Sequence, residues 1–448
     1  MDKSAASLSV KQKLGFGIFD LGGNMFFTLM GFWTLNFLTD TVGLAAALSG
    51  VAVMAGKAWD AVTDPVMGFI SDRTFSRWGR RRPYLLFGAL PMLLTMWFFF
   101  TKPVFRGSFA LTVWAALALM LLNTAATVIN IPYSSLTPEL TDDYHERTSL
   151  NGYRFGCAVF GTILGAAAVQ PLVDIFPSKA QGFSMMGLIL GTVMLITTLI
   201  TFFGTREKVH TKADLPTGSL LATYRAVFSN KPFILLLLTY AFHIMALTFL
   251  QSILVYYTRY VYSSRSADLT TIAMLILLLV AMVFIPISVL VSKRIGKKRT
   301  YQICFVIIAS ACLIIFTLGH TLGPGFFMAM MVYAGIGVGF SYVAPYAMVP
   351  DAIDFDAAKN GERNEGAYYG MWTFISKLGT SLSVFLSGLI LSLGGYTANA
   401  VQSSKTILAI RLLIGPIPAV LFIAAMAVIQ LYPLDEKSFR EMNFRSRH

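Results

Sequence analysis

Residues 44–71 read LAAALSGVAVMAGKAWDAVTDPVMGFIS, and the chain then turns through Asp72-Arg73-Thr74-Phe75-Ser76-Arg77-Trp78-Gly79-Arg80-Arg81-Arg82. The first part is an apolar run long enough for an α-helix to cross a bilayer, which takes about 20 residues. The second is a basic turn with a glycine in it. A related turn follows the run 269–292, which ends in Ser292-Lys293-Arg294 and continues Gly296-Lys297-Lys298-Arg299. These are the second and eighth apolar runs, so each stands at the same point in its half of the chain. A duplicated six-helix bundle leaves such an echo.

Working outward, twelve runs are legible: 14–38, 44–71, 84–101, 108–135, 150–176, 182–204, 232–258, 269–292, 300–319, 325–349, 366–392 and 406–432. They are too long for barrel strands and lack period-two alternation. The first contains Asp20 and Asn24 and reads as a span rather than a cleaved signal peptide. The expected fold is an all-α membrane protein with twelve transmembrane helices in two pseudo-symmetric bundles. The first bundle takes 1–204 and the second 232–433. Between them lies a cytoplasmic linker, 205–231, and a cytoplasmic tail covers 434–448. In the linker, Leu220, Leu221, Tyr224, Val227 and Phe228 recur at helical spacing, which predicts a short amphipathic helix on the inner membrane surface.

Composition agrees. Of 448 residues, 56% are hydrophobic and only 13% are Asp, Glu, Lys or Arg, about half the usual share. Mean hydropathy is +0.67. A soluble enzyme, a disordered tail and a nucleic-acid binder are excluded on these figures. Cys157, Cys304 and Cys312 lie in apolar stretches and match no disulfide or zinc pattern. No Ser-His-Asp, metal-ligand or nucleotide motif stands out, so neither catalysis nor a cofactor is expected. Charge sets the orientation. With a cytoplasmic N-terminus, inner segments hold 25 of the 35 Lys and Arg and outer segments 7. That bias predicts both termini inside.

Six charged residues fall within the runs: Asp20, Lys57, Asp60, Asp64, Arg154 and Lys377. Each costs at least about 2.5–3.5 kcal/mol to insert, so each needs a partner or a task. Lys57, Asp60 and Asp64 are spaced i, i+3, i+7 on one helix face. Two carboxylates a turn apart repel unless a cation or a proton separates them. This is the chemistry of a coupling ion, Na⁺ or H⁺; a neutralised structural network is the alternative. Thr127 and Asn130 precede Pro132, which frees a backbone carbonyl. They can serve an ion and a polar substrate, or simply tie helices together at a kink. Arg154 lies near enough to the inner surface to snorkel. Lys377 sits deeper, and Asp60 or Asp64 is its expected carboxylate partner in a charge network with Lys57. Gly335-Ile336-Gly337-Val338-Gly339, Gly152/Gly156 and Gly161/Gly165 read as close-packing sites. His243 reads as a hydrogen-bonded core residue.

The stretch Trp59-Asp60-Ala61-Val62-Thr63-Asp64-Pro65-Val66-Met67-Gly68, continuing to Gly79-Arg80-Arg81-Arg82-Pro83, resembles the glycoside–pentoside–hexuronide:cation symporters. Further matches are Asp20-Leu21-Gly22-Gly23-Asn24, Thr39-Asp40-Thr41-Val42-Gly43, Asn130-Ile131-Pro132-Tyr133, Glu146-Arg147 and Asp351 to Asp354. The resemblance implies a major facilitator fold and alternating access. It implies a cation site, for Na⁺ or H⁺, at Asp60 and Asp64 with Thr127, and with Thr63 where the family has asparagine. The family's sugar-gripping aspartates are replaced by Asn24 and Asn130, its helix-one lysine by Gly23 and its helix-ten tryptophan by Tyr342. Arg154 and Lys377 are kept. Asp20, Tyr133, Tyr342 and Trp372 complete the expected substrate set. Cytoplasmic gating falls to Asp72, Arg73, Arg77, Arg80, Arg147, Asp351 and Asp354.

The expected activity is therefore cation-coupled uptake of a sugar, glycoside or hexuronide. A sodium-coupled lysophospholipid symporter is the alternative, because such carriers look similar and share the helix-two aspartates. The expected partners are a small-molecule substrate and the lipid bilayer, with no nucleic acid. The protein is expected to be a monomer in the plasma membrane, the bacterial inner membrane.

Overall fold

The computed structural model describes residues 8–136, 140, 144–206, 228–262, 267–360 and 365–434. Among the described residues the chain is helical throughout, with eight stretches long and apolar enough to cross a membrane. One of these, Lys297–Ala357, contains three successive helices.

The chain divides into two compact units, Met1–Pro216 and Thr217–His448. The first holds α1 (Val10–Asn36), α2 (Ala46–Asp72), α3 (Arg82–Phe100), α4 (Ser108–Ser134), α5 (Tyr144–Ala167) and α6 (Lys179–Gly204), with a short helix Val169–Asp174 before α6. The second holds α7 (Lys231–Tyr256), α8 (Ala267–Ile295), α9 (Lys297–Ile314), α10 (His320–Ser341), α11 (Ala344–Asn360), α12 (Glu365–Leu393), α13 (Ser404–Ile414) and α14 (Pro416–Gln430). Polar caps start several of them. Ser9 and Gln12 form a capping box on α1, and Ser178, Asn230 and Ser403 cap α6, α7 and α13.

The two units pair their helices in the same way. In the first, α1 packs on α5 and α6, α2 on α4, and α3 on α4 and α6. In the second, α7 packs on α12 and α14, α8 on α10, and α9 on α10 and α14. The repeated basic turns match as well. Gly79 and Gly296 adopt φ of 98° and 89°, the left-handed region open to glycine at no steric cost.

Two apolar runs of the second unit are broken. Run 325–349 stops at Ser341 and restarts at Ala344, because Pro345 has no N–H and its ring clashes with the preceding turn. Run 406–432 breaks at Gly415, whose φ of −112° and ψ of −97° are not helical, directly before Pro416. Leu220, Leu221, Tyr224 and Val227 of the expected linker helix, and the tail beyond 434, lie outside the described residues.

The glycine expectations divide. A Cβ on Gly161 or Gly165 would run into the carbonyl of Leu21 or Met25 on α1. On Gly335 and Gly339 it would meet α8, and on Gly337 it would meet Ile307 and Ile308 of α9. These five are close-packing sites. Gly152 and Gly156 are not: nothing described lies within 4 Å of a Cβ at either. They share α5 with Gly161 and Gly165, but their side of the helix faces away from α1.

Candidate transport site

The charged residues expected within the first unit gather into two groups. In the first, α1 supplies Asp20, α4 supplies Tyr133 and α5 supplies Arg154. Arg154 Nε donates to Asp20 Oδ2 at 2.7 Å and Nη2 reaches Oδ1 at 3.4 Å. The Tyr133 hydroxyl donates to Asp20 Oδ2 at 2.5 Å, with the Phe16 carbonyl at 3.2 Å. Tyr133 stacks on Phe19 with ring centroids 3.9 Å apart, and the Arg154 guanidinium lies 4.9 Å from the Tyr133 ring centroid. Arg154 is thus turned inward onto a carboxylate rather than snorkelling. Asn24 and Asn130 flank this cluster on α1 and α4. Each gives one N–H to its own helix, Asn24 to the Asp20 carbonyl and Asn130 to the Ala126 carbonyl, both at 2.9 Å. The approach is close: a Cβ on Gly23 would lie 3.6 Å from Asn130 Oδ1.

The second group joins α2 to α4. Thr127 Oγ1 donates to Asp64 Oδ1 at 2.8 Å. Lys57 Nζ lies 3.7 Å from Asp60 Oδ2, and Asp60 is 5% exposed. The Thr63 hydroxyl turns to its own helix, toward the carbonyls of Trp59 at 3.2 Å and Asp60 at 3.5 Å. Two further contacts pin the pair. Asn123 Nδ2 donates to the Gly56 carbonyl at 3.0 Å, and Trp59 Nε1 donates to Thr124 Oγ1 at 2.9 Å. Every polar atom in these contacts with α2's acids is an oxygen or an ammonium. Carboxylate and hydroxyl oxygens suit a hard monovalent cation, and a carboxylate suits a proton. Among the described residues no three His, Cys, Asp or Glu cluster as a transition-metal site.

A family model described as MFS/sugar transport protein matches residues 15–436. The chain belongs to this family. Its members are transporters rather than enzymes, and this MFS protein is a multi-pass membrane transporter of the glycoside–pentoside–hexuronide symporter type. Its relatives include an isoprimeverose transporter of Lactiplantibacillus pentosus, 27% identical over 95% of this chain and 89% of that one. A sodium-dependent lysophosphatidylcholine symporter of Danio rerio is 27% identical over 98% of this chain and 88% of that one. Among solved structures the fold is similar to the nucleoside transporter NupG, with TM-score 0.63, 16% identity and coverage of 93% of this chain and 98% of that one.

Other residues expected in the MFS protein's site lie in the second unit. Trp372 is buried and stacks on Tyr240 with centroids 3.9 Å apart; Tyr346 meets Trp372 edge-on, and its hydroxyl lies 3.3 Å from that of Tyr240. Sequence reading missed Tyr240 and Tyr346, which are distant from Trp372 along the chain. Tyr342 is exposed within its unit and Lys377 is half-buried on α12. His243 is a core residue, its Nδ1 2.7 Å from the Tyr301 hydroxyl.

Of the gating residues, Asp72 pairs with Arg81 at 2.9 Å, a partner outside the expected set. The Gly79 turn folds the chain back and brings Arg81 to the end of α2. Arg73 lies over the Phe69 ring and Arg77 over Trp78. Asp351 takes both oxygens to Lys297, at 2.7 and 2.8 Å. Asp354 is half-buried on the same helix. The side chain of Arg147 lies outside the described residues, but its neighbour Glu146 pairs with Lys13 at 3.0 Å.

Proposed function

We propose that this transporter couples entry of Na⁺ or H⁺ to uptake of a sugar, glycoside or hexuronide by alternating access. It would do so as a monomer in the bacterial inner membrane, through twelve spans with both termini inside. The observation that carries the reading is the Thr127–Asp64 hydrogen bond beside buried Asp60, which joins α2 and α4 through ion-binding oxygens. Without a cation or proton the two carboxylates repel, and carrying both through a dry, closed state is costly. A bound ion removes that cost, so ion loading shifts the equilibrium toward closure. The Thr127 hydroxyl can then rotate to give the ion a lone pair instead of its proton to Asp64.

Substrate hydroxyls would meet the amides of Asn24 and Asn130, each with one N–H held by its helix and a carbonyl oxygen left to accept. Arg154, already paired with Asp20, would face a uronide carboxylate or the ring hydroxyls. The lysophosphatidylcholine relative keeps a second reading in view, with Arg154 and Lys377 serving a phosphate. The test is uptake into proteoliposomes against an imposed Na⁺ or proton gradient. Asp60→Asn and Asp64→Asn should each abolish uphill uptake while elution and unfolding temperature stay near the parent's. Undiminished gradient-driven uptake in both would sink the ion assignment. Thermal shifts with sugars, uronides and lysolipid, with and without Na⁺, separate the two substrates.

A further inference from the structure

Of the three cations that follow Gly296, Lys297 and Lys298 are engaged and Arg299 has no partner among the described residues. Lys297 is held by Asp351 and by the Ala347 carbonyl at 2.9 Å. Lys298 donates to the carbonyls of Gln430 and Tyr432 at 2.9 and 2.8 Å. Arg299 is exposed and makes no ion pair or hydrogen bond among the described residues. Its counterpart in the first unit, Arg82, donates to the Phe202 carbonyl at 2.7 Å. Lys293 and Arg294, in the last turn of α8, are also exposed.

Arg299 lines a groove of about 460 Å³ together with Ile295, Gln302, Ile303, Val306 and Ile307. The other face of α9 is spoken for, since Tyr301, Cys304, Phe305 and Ile308 are buried in the bundle core. The groove is therefore on the face of α9 turned away from its unit's core, and on a membrane-spanning helix such a face meets lipid wherever no protein covers it. Ile295 ends α8, and within α9 the polarity of the lining is ordered along the helix. Arg299 and Gln302 come first, then Ile303, Val306 and Ile307 at i, i+3, i+4. From 299 to 307 the helix rises roughly 12 Å, enough to pass from headgroup level to acyl chains.

We propose that this groove binds an anionic phospholipid, its phosphate held by Arg299 and Gln302 and its acyl chain lying along Ile303, Val306 and Ile307. The guanidinium matches phosphate geometry with paired N–H donors. Exposed Lys293 and Arg294 add positive potential at the same interface, where basic residues attract anionic headgroups. The apolar part of the groove distinguishes a lipid from a free anion.

The test is native mass spectrometry of the full-length protein in detergent, titrated with dioleoylphosphatidylglycerol, dioleoylphosphatidylcholine or glycerol 3-phosphate. The parent should retain phosphatidylglycerol over phosphatidylcholine and should not retain glycerol 3-phosphate. Arg299→Gln removes the phosphate contact and Val306→Trp fills the groove; each should weaken phosphatidylglycerol retention about tenfold. Both positions are exposed, and an unchanged unfolding temperature without lipid checks that the variants are folded. Equal retention of the two lipids, or variants that bind like the parent, would overturn the proposal. So would glycerol 3-phosphate binding as tightly as the lipid, because the site would then be one for a free anion. The readout is binding, so it does not depend on whether the transport reading holds.

Discussion

Asp20 and Arg154 stand far apart in the sequence, each looking like an isolated liability within an apolar run. Together they form one neutral, hydrogen-bonded pair closed by Tyr133. Their side chains are 14% and 24% exposed, and breaking a pair at that burial strands the other charge at a cost of about 3–5 kcal/mol. Asp20→Asn and Arg154→Gln should therefore each lower the unfolding temperature in detergent, while the double variant recovers much of the loss. Equal destabilisation by all three would mean that the charges do not act as a pair. Thr127 is a gentler case. Its hydroxyl bond to Asp64 is to a charged group, a class worth about 1.5–3 kcal/mol. If the same hydroxyl serves the ion, Thr127→Val should raise the ion concentration for half-maximal uptake about tenfold or more, and Thr127→Ser should restore it. Unchanged ion dependence in the valine variant would remove Thr127 from the site.

At the scale of the helices, what could be read depended on how far apart the partners lie along the chain. Lys57, Asp60 and Asp64 share one helix, so their common face follows from the 3.6-residue period alone. The Asp20–Arg154 pair, the Asn123–Gly56 bond and the Tyr240–Trp372 stack join different helices, and no periodicity encodes which helices meet. Thr127 drew notice from its place before Asn130 and Pro132, but only family resemblance set it beside Asp60 and Asp64, since no periodicity says where α4 meets α2. Glycines show the same limit. Both pairs on α5 have i, i+4 spacing, yet only Gly161 and Gly165 lie against α1. Gly161→Val should consequently yield little monodisperse protein, because its Cβ meets the Leu21 backbone, which cannot move aside. Gly156→Ala should be neutral or mildly stabilising, since alanine favours a helix over glycine by about 0.8–1.0 kcal/mol. Size-exclusion profiles and unfolding temperatures measure both. A well-behaved Gly161→Val protein would contradict the α1–α5 packing.

Across the whole molecule the scaffold is repeated but the chemistry is not. The same five helix pairings build both units, yet five of the six charged residues expected within spans belong to the first, and the second contributes Lys377 and a cluster of Tyr240, Tyr346 and Trp372. A duplicated frame leaves each half free to specialise, one for charge and the other for an aromatic cluster. Charge also argues the orientation, since the turns after α2 and α8 are strongly basic while the segment between α3 and α4 carries only Lys102 and Arg106. Three exposed side chains, Phe75, Val104 and Val401, test it. In a variant with its three native cysteines replaced by serine or alanine, Val104→Cys and Val401→Cys should react with a membrane-impermeant maleimide in intact cells. Phe75→Cys should react only after the membrane is opened. Half-buried Cys157 makes that background necessary, whereas Cys304 and Cys312 are buried. Labelling of Phe75→Cys in intact cells, with Val104→Cys silent, would invert the topology and move the basic turns, with the lipid groove beside Arg299, to the outer face.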